Sequence, residues 1–157
     1  GRNGKTYLNP CLYSHAPLDL VILSLGGNDM KIEFKRDARA IQGGVADLID
    51  LIQESTYGVD MKSAPAILLA HHFMPVNESF QGEDGLNIFK GSQEKGRRLV
   101  PLLQELAHKK KCHFIDTTDK VEFSKVDGIH FDASGHQQYA DLINIKVQAI
   151  LTLWTRH

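Results

Sequence analysis

Apolar runs and helical spacings alternate along this chain. Residues 19–25 are mainly apolar, which is typical of a strand in a parallel sheet that helices cover on both faces. Between Ile41 and Ile52 apolar residues recur three and four positions apart, which predicts a helix over about 37–53. A second apolar run follows Pro65 and predicts a buried strand over 66–70.

The alternation continues to the end of the chain and predicts an α/β sandwich built on a parallel sheet. Leucines at helical spacing after Leu99 predict a second helix, and residues 112–116 a short third strand. Asp132 is a suitable N-cap for a last helix. The buried stripe of that helix is predicted to be Tyr139, Ala140, Ile143, Val147, Ile150 and Leu151. Irregular structure is predicted for 1–17 and 71–90, and irregular structure or a helical turn for 117–126. The long 71–90 loop is typical of a binding loop or lid.

Composition narrows the class of protein. The length of 157 residues suits one domain, residues 1–157, and the 42% hydrophobic and 24% charged content is ordinary for a soluble globular protein. A formal net charge of -1 gives no overall field for nucleic acid. No apolar run reaches the ~20 residues of a membrane span. Cys11 and Cys112 show no metal-ligand spacing. They do not decide the cellular compartment, although the cytoplasm is slightly favoured.

Polar residues follow each predicted strand. Gly26-Gly27-Asn28-Asp29 follows the first strand, and His71-His72 follows the second. Asp127-Gly128-Ile129-His130 lies beyond the third strand and just before the last helix. Because ligands bind at the carboxyl ends of the strands in such sheets, we expect these segments to converge.

The residue types in these segments suit acid–base chemistry. An Asn at a tight turn, here Asn28, can donate its side-chain NH2 to a developing oxyanion. Asp127 and His130 can form a hydrogen-bonded pair in which the carboxylate fixes the tautomer of the imidazole and stabilises the imidazolium. Each motif alone can be an ordinary turn, so the catalytic interpretation depends on their joint order. Adjacent His71 and His72 point opposite ways without a clear third ligand, and no metal site is predicted.

The two motifs resemble those of the SGNH (GDSL-type) hydrolases, a family of serine esterases, lipases and acyltransferases. The G-x-N-D block of that family is matched by residues 26–29, and its D-x-x-H block by residues 127–130. Residues 7–20 and 88–95 are similar to the arylesterase and acyltransferase branch. The resemblance covers essentially the whole chain and implies a flavodoxin-like three-layer α/β/α sandwich.

The resemblance also implies a function, acyl transfer from a small-molecule ester without a cofactor. In that mechanism His130 is the general base and then acid, Asp127 orients it, and Asn28 stabilises the tetrahedral oxyanion. Substrate contacts are implied for Gly27, Asp29, Phe73, Phe89 and Ile129. We expect Asn28 and His130 to face one cleft with Phe73 or Phe89 near its rim. The resemblance does not decide whether the protein forms a homo-oligomer.

The nucleophile is where the chain departs from the family pattern. The family carries its serine in a G-D-S block and a glycine block after it, and neither block is present here. Ser24 lies inside the first strand run, and the other serines stand in unrelated contexts. We therefore expect a fragment whose nucleophile lies in a missing N-terminal segment. A strand from that segment would also cover the apolar edge of the first strand.

Two other functions stay open. A degenerate, non-catalytic family member that binds an acyl or glycan ligand, or a protein partner, would explain the missing serine. The joint presence of Asn28, Asp127 and His130 speaks against it. A flavodoxin-like phosphate or nucleotide binder is less favoured, because no Gly-rich turn with phosphate-binding spacing precedes a helix.

Overall fold

A computed structural model describes residues 3–71 and 87–154 of the chain. Within these residues four helices and three strands alternate, and two short 3₁₀ turns, Asn28–Met30 and Ile32–Phe34, follow the first strand. In chain order the elements are α1 (Gly4–His15), β1 (Leu20–Leu23), α2 (Ala38–Gln53), β2 (Ala66–His71), α3 (Ser92–Lys109), β3 (His113–Asp116) and α4 (Ala133–Trp154).

The three strands form a parallel sheet in the order β1-β2-β3. Leu20 pairs with Ala66 between the first two strands, and Leu68 pairs with His113 between the last two. Because all strands run the same way, their carboxyl ends meet at one edge of the sheet. The segments that follow β1 and β3 therefore leave the sheet on the same side.

Helices cover both faces of the sheet. The main core lies on one face, where Leu23, Ile67 and Leu69 of the strands join buried residues of α1, α2 and α3. Side chains alternate along a strand, so Leu68 and Ala70 of β2 point to the opposite face, where they are also buried. On that face α4 contacts β3. The predicted three-layer α/β/α sandwich with a parallel sheet is confirmed.

Most of the predicted elements are confirmed within a few residues. The carboxylate of Asp37 accepts a hydrogen bond from the amide of Ala40 at 2.7 Å and caps α2, which ends at Gln53 as predicted. Asp132 caps α4 in the same way, since its side chain accepts a 2.9 Å bond from the Gly135 amide. Of the long 71–90 segment, residues 72–86 lie outside the described residues.

The irregular structure predicted for residues 1–17 is wrong, because α1 occupies Gly4–His15. Pro10 lies inside this helix, where proline costs about 3 kcal/mol or more, so the local pattern argued against a helix. Two other features favour it. The Asn3 side chain accepts a 3.0 Å bond from the Lys5 amide, and Leu12 is buried in the core shared with α2. Tertiary packing therefore overrides the local signal.

The predicted stripe of α4 faces the protein but is only partly buried. Ile150 is buried, Ala140 is exposed, and the other four residues are half-buried: Tyr139, Ile143, Val147 and Leu151. A helix of 22 residues is about 33 Å long, whereas a six-residue strand spans about 20 Å. Part of the apolar face of α4 therefore extends past the described sheet. No described helix combines the length and the apolar composition that crossing a membrane requires.

Candidate active site

A tight turn presents Asn28 at the carboxyl end of β1. Gly26 has a φ of 109°, a backbone conformation that favours glycine, and a Cβ there would meet the side chain of Ile41 at 3.3 Å. The 3₁₀ turn that follows is closed by bonds from the Met30 amide to the Gly27 carbonyl and from the Lys31 amide to the Asn28 carbonyl, both 3.2 Å. Asn28 is left exposed at the edge of the sheet.

Asp127 and His130 form the hydrogen-bonded pair that their spacing predicted. Asp127 Oδ2 lies 2.7 Å from His130 Nδ1, which confirms the predicted contact. Asp127 Oδ1 accepts bonds from the amides of Ile129 and His130 at 2.9 and 3.0 Å. Gly128, with a φ of 66°, allows the tight bend between the two side chains. One carboxylate thus organises both the ring and the backbone of this loop.

The loop around this pair is closed on itself. The Ser124 amide donates to the His130 carbonyl at 2.8 Å, and the Gly128 amide donates to the Ser124 carbonyl at 2.7 Å. These bonds join the two ends of a seven-residue segment, 124–130. The geometry of the pair is therefore set locally, within one short loop.

The electrostatics of the pair keep the acid charged, and the hydrogen bond fixes the orientation of the ring. The hydrogen bond from His130, and then the amides of Ile129 and His130, lower the pKa of Asp127 from 3.8 to about 2. Asp127 therefore stays ionised through the neutral range. With the carboxylate on Nδ1, the tautomer carries its proton there and leaves Nε2 as the acceptor. The His130 side chain is 77% exposed, against 23% for Asp127, so the ring projects from the loop that holds it.

The segment 88–95 connects the Asn28 turn with the loop of the pair. The Ile32 amide, just past the turn, donates to the Ile88 carbonyl at 2.9 Å. The next residue, Phe89, is 3% exposed and packs with Ile129, the neighbour of His130. Both loops therefore rest on the same short stretch of chain at the carboxyl edge of the sheet.

A second link runs through the first turns of α4. The hydroxyl of Tyr139 donates to Ser24 Oγ at 3.2 Å, which joins the helix that follows the pair to the residue that follows β1. The rings of Phe123 and Phe131 flank the same region, with centroids 4.9 Å apart. Sequence reasoning missed this contact, because residues 24 and 139 are 115 positions apart and share no local pattern.

The other predicted substrate contacts have different surroundings. Phe89 was expected near the rim of a cleft, but it is buried with Ile129 in a small cluster beneath the loop of the pair. Asp29 forms an ion pair with Arg36 at 3.3 Å, a partner that the motif did not indicate. Gly27 begins the Asn28 turn, and Phe73 lies outside the described residues. Contact of any of these residues with a substrate stays a prediction.

At the end of the second strand, the backbone carbonyl of His71 makes the contacts, while its side chain is buried. His71 is the last residue of β2 and is 2% exposed. Its carbonyl accepts bonds from the Thr117 amide and hydroxyl at 2.9 and 3.2 Å, so it anchors the turn after β3. His72 lies outside the described residues. Among residues 3–71 and 87–154, no three His, Cys, Asp or Glu side chains are grouped as metal ligands would be.

Comparison with known proteins gives a family match over most of the chain. The sequence profile of the GDSL-like Lipase/Acylhydrolase family matches residues 3–138. No curated protein sequence matches the chain significantly.

Several solved structures are similar to this chain, among them two esterases. The inhibitor-bound aryl esterase of M. smegmatis shares 28% identity over 93% of this chain and 67% of its own, with a TM-score of 0.82. A carbohydrate acetylesterase from Sinorhizobium meliloti shares 31% identity over 94% of this chain and 68% of its own, with a TM-score of 0.81. The chain therefore spans about two thirds of the length of each.

Proposed function

The chain belongs to the GDSL-like Lipase/Acylhydrolase family, and on that premise we propose that it supplies the base, the acid and one oxyanion donor of a serine ester hydrolase. One observation carries this proposal: the 2.7 Å bond between Asp127 and a His130 ring that is 77% exposed. The similar aryl esterase and carbohydrate acetylesterase structures support a small acyl ester as the substrate class.

The proposed mechanism uses the same three residues in both half-reactions. Nε2 of His130 takes the proton of a serine hydroxyl as that oxygen bonds to the ester carbonyl carbon. Asp127 stays ionised and stabilises the imidazolium, while the Asn28 amide donates to the oxyanion. The tetrahedral intermediate then expels the alcohol, which His130 protonates. His130 then deprotonates water as the water oxygen bonds to the acyl carbon, and it returns that proton to the serine oxygen as the acyl–serine bond breaks, which releases the carboxylic acid and the free serine.

We place the nucleophilic serine outside these 157 residues. The G-D-S block in which this type of hydrolase carries it does not occur in the sequence. The serine nearest in sequence to Asn28 is Ser24, and its hydroxyl accepts the bond from Tyr139. Hydrolysis and transfer to another alcohol differ only in the second acceptor, and hydrolysis is proposed because both solved relatives are named esterases.

Hydrolysis of p-nitrophenyl acetate tests the proposal. The full-length protein that contains this chain should turn the ester over, whereas the 157 residues alone should not, because triad members act as a unit. His130→Ala should remove nearly all activity, and Asn28→Ala should cost about 10²–10³-fold. His108→Ala is the matched control, since that exposed histidine lies in the last turn of α3.

Two results would contradict the proposal. Turnover by the 157 residues that His130→Ala abolishes would place the nucleophile inside the chain, with Ser24 as the first serine to substitute. A folded full-length protein without turnover on acyl esters would instead favour the non-catalytic member that binds an acyl or glycan ligand.

A further inference from the structure

A lysine of α3 reaches the turn that carries Asn28. The ammonium group of Lys95 donates to the carbonyl oxygen of Met30 at 2.9 Å, across 65 positions of sequence. Met30 is the last residue of the 3₁₀ turn that Asn28 begins. We propose that Lys95 is a positioning residue, which holds this turn and thereby aims the Asn28 amide. The inference rests on the proposed function, in which Asn28 is the oxyanion donor.

The Asn28 turn needs an external anchor for a physical reason. A single 3₁₀ turn has poor hydrogen-bond geometry, and the two bonds that close this one are both long, at 3.2 Å. Met30 is fully buried, so its carbonyl must be satisfied within the protein. The ammonium of Lys95 satisfies it with a charge-assisted bond, which is about twice as strong as a bond between neutral groups.

The Lys95 side chain is itself well placed to act as an anchor. Its backbone amide donates to the Gly91 carbonyl at 3.2 Å in the first turns of α3, and the side chain is only partly exposed. The same stretch of chain supports the Asn28 turn twice more. The Ile32 amide bonds to the Ile88 carbonyl, and the ammonium of Lys31 lies 5.8 Å from the centroid of the Phe89 ring. Lys95 therefore completes a three-point attachment.

The 88–95 segment also contacts the loop of His130, so this attachment bears on catalysis. Phe89 also packs against Ile129, next to His130. The segment that holds the Asn28 turn is thus the segment on which the base rests. A shift of this turn changes the place of the amide relative to the base, and a misplacement of about 1 Å can cost 10²-fold in rate.

Three substitutions in the full-length protein separate positioning from general effects of charge. Lys95→Met removes the donor and keeps most of the length of the side chain, whereas Lys95→Arg keeps a cationic donor. Arg98→Met is the matched control, because Arg98 is a cation of the same helix that pairs with Glu94 at 2.7 Å and is 72% exposed. If Lys95→Met fails to fold, Lys95→Gln replaces it, since its shorter arm ends short of the carbonyl.

The readouts are kcat, KM and the NMR signals of the turn. Lys95→Met should lower kcat by about 10- to 100-fold with KM nearly unchanged, because it disturbs a contact that matters in the transition state. It should also broaden the Asn28 side-chain NH2 signals and speed exchange of the Lys31 amide, which donates to the Asn28 carbonyl. Lys95→Arg should restore most of both, and Arg98→Met should change neither.

The outcomes distinguish this inference from the proposed function. If Lys95→Met leaves kcat unchanged or alters KM alone, the inference is overturned. The proposed function still holds in that case, provided that His130→Ala removes the activity. If His130→Ala keeps its activity, the proposed function fails. The NMR signals then decide alone, and an unchanged Lys31 amide exchange overturns the role of Lys95 as well.

Discussion

Gly135→Ala is expected to destabilise the protein, although alanine is the better helix former. Gly135 is the third residue of α4 and is buried. A Cβ built there lies 2.3 Å from the Glu122 carbonyl oxygen, where real Cβ contacts do not come below 3.0 Å. It also meets Phe131 Cβ at 3.2 Å. The helix and the 122 segment must therefore separate by about 0.7 Å.

This separation lowers the free energy of unfolding, by an amount that two opposing effects limit. The obstructing atom belongs to backbone, and the Glu122 amide is already held by Gln138 Oε1 at 2.8 Å. Overpacking of this kind typically costs about 1–3 kcal/mol. Replacing glycine by alanine in a helix returns at most about 1 kcal/mol. The free energy of unfolding should therefore fall by up to about 2 kcal/mol, and each kcal/mol lowers the Tm by about 2–4 °C in a domain of this size.

Gly43→Ala is the matched control for this prediction. Gly43 lies inside α2, and a Cβ there meets no atom of the described residues within 4 Å. That variant should gain about 1 kcal/mol from helix propensity alone. Urea denaturation of both variants measures the difference. If Gly135→Ala shifts the midpoint upward as Gly43→Ala does, the close approach of α4 to Glu122 is not a feature of the folded protein.

Two further predictions concern the pair and the core. Asp127 has a folded-state pKa of about 2 against an ordinary 3.8, so its ionised form stabilises the protein above pH 4 and this contribution is lost as the pH falls towards 2. The stability difference between wild type and Asp127→Asn, measured by urea denaturation, should shrink as the pH falls from 4 towards 2. Ile49→Ala should cost about 2–5 kcal/mol because Ile49 is fully buried, whereas Val59→Ala at a 63% exposed site should stay within about 0.5 kcal/mol.

The parts of this protein that sequence predicts are those that local chemistry determines. The alternation of apolar runs and helical spacings gave the layers and the parallel sheet, because burial on both faces leaves few other arrangements. The contact of Asp127 with His130 was predictable, since three residues around a glycine bring the two side chains together. Asp132 was predictable as a cap for the same reason, because its partner lies within one turn.

The parts that sequence did not predict depend on contacts between distant residues. Helix α1 was missed because Pro10 and the early glycine and asparagine residues dominate the local signal, while the packing of Leu12 is visible only in the fold. The burial of Phe89 was missed for a similar reason, since its partner Ile129 is 40 positions away. The bond of Lys95 to Met30 has no local signature at all.

The two halves of the candidate site therefore differ in what stabilises them. The pair of Asp127 and His130 is closed by bonds within residues 124–130, so it forms whenever that loop folds. The place of Asn28 relative to the pair depends on contacts made through residues 88–95, each of which must offset the entropy of closing a long loop. Local opening begins where such contacts are few. The geometry of the pair should thus persist under perturbations that already separate the donor from the base.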